Sequence, residues 1–243
     1  MERHPELYDG GVDWQGLLWL PEGPNLLMSL PPAVKYFPEF RDLKSRAARD
    51  ALIRAGFAPE SDFLWQYHYE VYWNSTQRSY REEFDPYWPG SDADYDYAER
   101  LDLQKNPFAQ AIKSAVERVS LTGDIGKRLI TLHGTLDALL PAKTNSDKYA
   151  ELIEKAGRSD LHRYYKVEGG NHVDGLYDYA GPDPKNHDLE LRQKFREKLR
   201  PMLPATGPLS RHSRSGSRRA LIRRGARRYQ DQRTGMSLTA ARP

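Results

Sequence analysis

Arg128-Leu-Ile-Thr-Leu-His133-Gly-Thr-Leu-Asp137-Ala-Leu-Leu-Pro141 and, after a gap, Leu161-His-Arg-Tyr-Tyr-Lys-Val167-Glu-Gly-Gly-Asn171-His172-Val-Asp174-Gly175 share one plan. Each is a short apolar run followed by a glycine-bearing loop that carries a titratable side chain. Runs of this length, bounded by glycines and without polar alternation, suit strands buried on both faces of a parallel sheet. Between them, Thr144 to Ala156 places Tyr149, Leu152, Ile153 and Ala156 at helical spacing, with Gly157 as the stop. Upstream, Asn106 is a candidate N-cap and Pro107 suits N1. Phe108, Ala111, Ile112, Ala115, Val116 and Val119 then share one face, up to Gly123. Helix, strand, helix, strand is the rhythm of a βαβ unit, because parallel strands need a crossover. The fold class expected is α/β with a mainly parallel sheet.

Working outward, Tyr8 to Trp19 reads as a turn, a short strand and a loop with two tryptophans, Trp14 and Trp19. From Pro21 to Asp102 the signals are helical. A helix is expected from Pro38 to Ala55, with Gly56 in the C′ position. Phe63 to Phe84 is dense in aromatic residues, and its spacing fits strand and helix about equally. Its length favours a helix that stops before Asp85-Pro86. Tyr87 to Tyr97 is loop, and Asp188 to Met202 carries a last stripe of Leu191, Phe195, Leu199 and Met202. Residues 205–243 hold ten arginines, no lysine and one acid, Asp231; of the net charge of +3, this tail carries +9 and the rest −6. It reads as a disordered basic tail, foreign in chemistry to what precedes it. The chain thus divides into 1–20 (strand and loop), 21–102 (helical, aromatic-rich), 103–204 (the βαβ core) and 205–243 (the tail).

Composition excludes several classes. Of 243 residues, 38% are hydrophobic and 29% charged, enough for a packed core under a polar surface. No stretch approaches the roughly 20 apolar residues of a membrane span, and Met1 to Gly10 has no apolar leader core. As written, the chain reads as soluble and cytoplasmic. With no cysteine, disulfides, thiolate nucleophiles and Cys-ligated zinc all drop out. The seven histidines form neither H-E-x-x-H nor H-x-H, so neither a metal nor a cofactor is expected.

Open α/β sheets place functional side chains in loops just past the C-terminal ends of strands. Asp137 stands in the first such loop and His172 in the next, one strand-helix unit later, as the chain order Ser…Asp…His of an α/β-hydrolase triad requires. H-G-x-x-D-x-x-x-P over 133–141, followed by G-N-H over 170–172, resembles the acid and histidine loops of that superfamily. The phrases HPELYDGGVDWQGLLW and LHRYYKVEGGNHVDGLYD resemble the bacterial hydrolases described as tannase/feruloyl esterase-like, over about Arg3 to Pro204.

The resemblance implies that this is the C-terminal part of an α/β-hydrolase fold, acting on a small-molecule ester through acyl-enzyme chemistry. Asp137 would fix the tautomer of His172, and His172 would serve as general base and then general acid. It implies that residues 21–102 form a lid, that Trp14 and Trp19 line a pocket, and that Asn171 orients either a backbone turn or a substrate group. Asp174 would order its loop or touch substrate, and His133 would be a packed support. No G-x-S-x-G nucleophile turn precedes Asp137, and Met1 would fall inside the helix that follows such a turn. The chain is therefore expected to be truncated, inactive alone, and able to associate with a missing N-terminal part. A peptidase or acyltransferase would use the same dyad. A nucleic-acid-binding module built on the arginine tail is disfavoured, since the tail has no aromatic besides Tyr229 and the body is acidic.

Overall fold

The computed structural model describes residues 1–92, 94–183 and 187–202, with two further strand segments at 229–231 and 236–240. Three parallel strands, β1 (Gly10–Trp14), β2 (Arg128–Gly134) and β3 (His162–Val167), lie in that order across the sheet. Trp14 stands beside Leu132, and Gly134 beside Val167. All three strands therefore end at the same edge, and the residues that follow them converge there. β2 is central and almost wholly buried, which is why its sequence is apolar without alternation. The crossover from β2 to β3 runs through helix α7 (Ser146–Lys155), whose Tyr149 and Ile153 pack on Leu129, Leu18 and Ile125 against one sheet face. On the other face Leu132, Val167 and Met202 form a small core with Trp14 and Ile130. The α/β class is as the sequence predicts.

The largest core lies elsewhere, among helices α1 (Leu26–Leu43), α2 (Arg46–Arg54), α3 (Trp65–His68), α4 (Asn74–Phe84), α5 (Tyr97–Arg100) and α6 (Ala109–Glu117). It takes in Ala138, Leu139 and Leu140 of the loop after β2, and Phe195 of helix α8 (Leu189–Lys198). This helical layer is thus packed onto the C-terminal end of the sheet. Among the described residues, no helix is long and apolar enough to cross a membrane.

Four expectations change. The helix expected from Pro38 is the end of α1, which starts at Leu26 and carries Pro31, Pro32 and Pro38 within it. Burial of Leu26, Leu27, Leu30 and Phe37 outweighs the missing N–H donors. It breaks where Lys44 turns left-handed (φ 54°), and Ser45 caps α2 by accepting from the Ala48 N–H at 3.2 Å. The Phe63–Phe84 region is helical and ends before Asp85 as expected, but a π-helical turn, Tyr69–Trp73, interrupts it. The helix expected over 107–119 is shorter, and Phe108 and Val119 are exposed rather than inward. Of the tail expected to be disordered, the described residues form two short strands, β4 (Tyr229–Asp231) and β5 (Met236–Ala240), with β5 antiparallel to β3, and the rest of that expectation lies outside the described residues. An unpaired strand edge presents a row of N–H and C=O groups that any extended segment can satisfy, a force that composition does not reveal.

Candidate active site

The loops after β2 and β3 are built against each other by backbone. Thr135 N–H donates to Val167 O (3.0 Å), Leu136 N–H to Gly170 O (2.8 Å), and Gly169 N–H to the Thr135 hydroxyl (3.0 Å). The approach is so close that a Cβ on Gly134 would collide with the Gly170 carbonyl. Both glycines therefore serve proximity, bringing residue 137 to residue 172 across 35 positions of chain.

The result is a hydrogen bond from His172 Nδ1–H to Asp137 Oδ2 at 2.9 Å. Asp137 is fully buried, and its Oδ1 accepts from the backbone N–H groups of Leu139 (2.9 Å) and Leu140 (2.8 Å). Burial by itself would raise this carboxyl, but its hydrogen bonds to His133 and His172 and the electrostatic attraction of those rings outweigh it, and the group is held well below the usual carboxylate range. His172 shows the mirror case. Burial pulls its basicity down, yet the bond and charge of Asp137 win, and the imidazole sits above its ordinary value. With Nδ1 committed to Asp137, Nε2 is the nitrogen that can exchange a proton, and 27% of the side chain remains exposed.

Three further elements hold the acid. His133, at the end of β2, has Nε2 3.2 Å from Asp137 Oδ2 and 2.7 Å from Leu140 O, while Nδ1 lies 2.6 Å from Ser146 Oγ. A ring protonated on Nε2 that accepts the serine proton at Nδ1 satisfies all these contacts. Gln15, just past β1, places one end of its amide 2.7 Å from Asp137 Oδ2 and the other 3.0 Å from Trp14 Nε1. A nitrogen facing the carboxylate and an oxygen facing the indole N–H satisfy both short contacts, and we assign the amide so, in preference to the orientation in which the nitrogen makes only a 3.3 Å bond to Asn171 O. From the helical layer, Trp73 in the π-helical turn donates its indole N–H to Ala138 O at 2.7 Å. π-helical turns often mark functional positions, because the extra residue redirects the side chains. Immediately before that turn, His68, the last residue of α3, is wholly buried. Burial pushes its imidazole down to about 4, within the fields of Asp137 and His172.

The predicted site residues are not all in one place. Asp137, His172 and Asn171 lie together, with Asn171 Oδ1 accepting from the Ala138 N–H at 3.3 Å and so bridging the two loops. Trp14 reaches the group through Gln15. Trp19 does not join them; it is buried in the helical layer against Tyr80 and Phe84, with ring centroids 4.9 and 4.6 Å away. Asp174 accepts from the Met202 N–H at 2.6 Å, tying the loop to the chain after α8. Sequence reading missed Gln15, His68 and Trp73, and it saw only packing in His133. Gln15 has one local signal, a side chain just past a strand end, and it is weak. Among the described residues, no three His, Asp or Glu side chains are grouped to hold a metal ion.

Comparison of the chain with family models, with curated proteins and with solved structures returns no match. The functional reading rests on the geometry.

Proposed function

We propose that this chain carries the acid, Asp137, and the base, His172, of a carboxylic ester hydrolase of the α/β-hydrolase type, with its serine supplied by a segment outside this sequence. The observation that supports it best is the 2.9 Å bond from His172 Nδ1 to a buried, ionised Asp137, formed between loops at the C-terminal ends of adjacent parallel strands. In acyl transfer Asp137 holds the ring in one tautomer and stabilises the imidazolium. Nε2 takes the serine proton and returns it to the leaving alcohol. The helical layer packed on the acid loop suits a lid that excludes water from this end of the sheet. Among the described residues, β1 has no strand on its outer edge, and Val12 is 47% exposed beside it. That edge offers a place for the strand that would deliver the serine.

Two experiments test the reading. The purified chain should hydrolyse p-nitrophenyl acetate no faster than its His172→Ala variant; a burst lost in that variant would show a nucleophile within this chain. Expression together with the DNA upstream of Met1 should give ester hydrolysis that Asp137→Asn and His172→Ala each abolish. Absence of a G-x-S-x-G codon run in every upstream frame would sink the proposal.

A further inference from the structure

Gln15 is an unusual residue in an unusual conformation. It is 2% exposed, and its φ of +51° is left-handed, a region that costs a non-glycine residue about 1–3 kcal/mol and persists only where the surroundings impose it. Glycine or asparagine would take that turn more cheaply. Here the surroundings do impose it. The Gln15 N–H donates to Leu132 O at 2.8 Å, continuing the register of β1 with β2 for one residue beyond the strand. Gly16 follows because a Cβ there would run into the Asp13 carboxylate, whose oxygens face back across the turn. The turn aims the Gln15 side chain at Asp137, 122 positions further along the chain, and Trp14 Nε1–H holds the amide oxygen so that the nitrogen faces Oδ2.

We infer that Gln15 is a positioning residue for Asp137: its amide N–H occupies one lone pair of Oδ2 and fixes which face of that oxygen His172 approaches. The inference rests on Asp137 being the acid of the dyad only for its functional meaning; the contact itself is tested in the isolated chain, without activity. Each of the three parallel strands then contributes one group to the site from its C-terminal end: the dyad's Asp137 after β2 and His172 after β3, and the positioning residue Gln15 after β1. The titratable groups facing this carboxylate are His133, His172 and, from the helical layer, His68.

Gln15→Glu is nearly isosteric and discriminates contact from packing. Protonated, the new carboxyl donates to Asp137 as the amide does. Ionised, it sets a second carboxylate against the first. A neighbouring negative charge raises the folded-state value of such a carboxyl, so stability is retained below its unfolded value of about 4.3 and lost as pH rises through the folded one. Expected, by thermal unfolding, is a melting temperature close to that of the native sequence at pH 4 and lower by roughly 5–10 °C at pH 8. A gap that is the same at both pH values overturns the inference. Should that variant fold at neither pH, Gln15→Met carries the test through an NMR titration of His172. Two backbone N–H groups and His133 still hold the carboxylate, and the donor competing for Oδ2 is gone, so the His172 midpoint should rise. A midpoint at or below that of the native sequence overturns the inference. Both readouts are independent of ester hydrolysis, so failure here leaves the hydrolase proposal standing, and the reverse.

Discussion

Asp137 and His172 share one hydrogen bond and are held in opposite ways. The acid loop is fixed from every side: two backbone N–H groups on Oδ1, His133 and Gln15 on Oδ2, Trp73 on the carbonyl next door. The histidine loop is tied by backbone to its neighbour, but the His172 ring is held through its bond to Asp137 and keeps part of its edge in solvent. The difference follows from what each group does in general base catalysis. An acid that orients an imidazole works best with no freedom, whereas a base must let one nitrogen gain and lose a proton.

The contrast can be broken most easily at the acid. Asp137→Ala leaves the Leu139 and Leu140 N–H groups buried without an acceptor, and should cost about 3–5 kcal/mol in urea unfolding at pH 7. Because the carboxyl is held below its ordinary value, its contribution exists above about pH 3.9 and is lost as pH falls. The penalty should therefore shrink toward pH 3, and a penalty that does not depend on pH would mean that the charge is irrelevant. Trp73→Phe comes next. It removes the donor to Ala138 O and part of a buried indole, so about 1–3 kcal/mol is expected, and a loss below the measurement error would show that the helical layer does not brace the acid loop. His172→Ala should cost least of the three, about 1 kcal/mol, since a part-exposed ring gives up one bond that water can replace in part. The raised basicity of His172 gives the sign of its pH dependence: the stabilisation is complete below its ordinary value of 6.5 and disappears as pH rises through the folded-state value. A cost equal to that of Asp137→Ala would erase the contrast between the loops.

The smallest effect concerns the second histidine beside the dyad. His68 is pushed down to about 4, so the folded state resists protonating it, and stability is lost as pH falls from 6.5 toward that value. His68→Leu should match the native sequence within about 1 kcal/mol at pH 7.5 and lose less stability between pH 6.5 and 4.5. Parallel acid profiles for the two proteins would show that His68 is not held neutral by burial.

Much of this was legible from local pattern. The apolar runs at 128–133 and 161–167, the helix between them and the order of Asp137 before His172 all appear as strands, crossover and adjacent loops. The helical assignment of residues 63–84 also stands, because length decided where spacing was ambiguous. The misses share one cause. Proline marks a helix start only when burial does not override it, as it does at Pro38. A π-helical turn leaves no periodic trace, and the antiparallel pairing of Met236–Ala240 depends on the free edge of β3 rather than on its own arginine-rich surroundings.

What the sequence by itself determined, then, is the repeating unit and the two loops that follow its strands. Hydrophobic period and glycine placement act over a few residues and are written locally. Only the tertiary structure decided what holds the acid. Gln15, Trp73 and His133 reach Asp137 or its loop from three separate elements, and a contact such as that of Gln15 with Asp137, 122 positions apart, has no local pattern to announce it. Its strength comes from burial that exists only once the chain has folded.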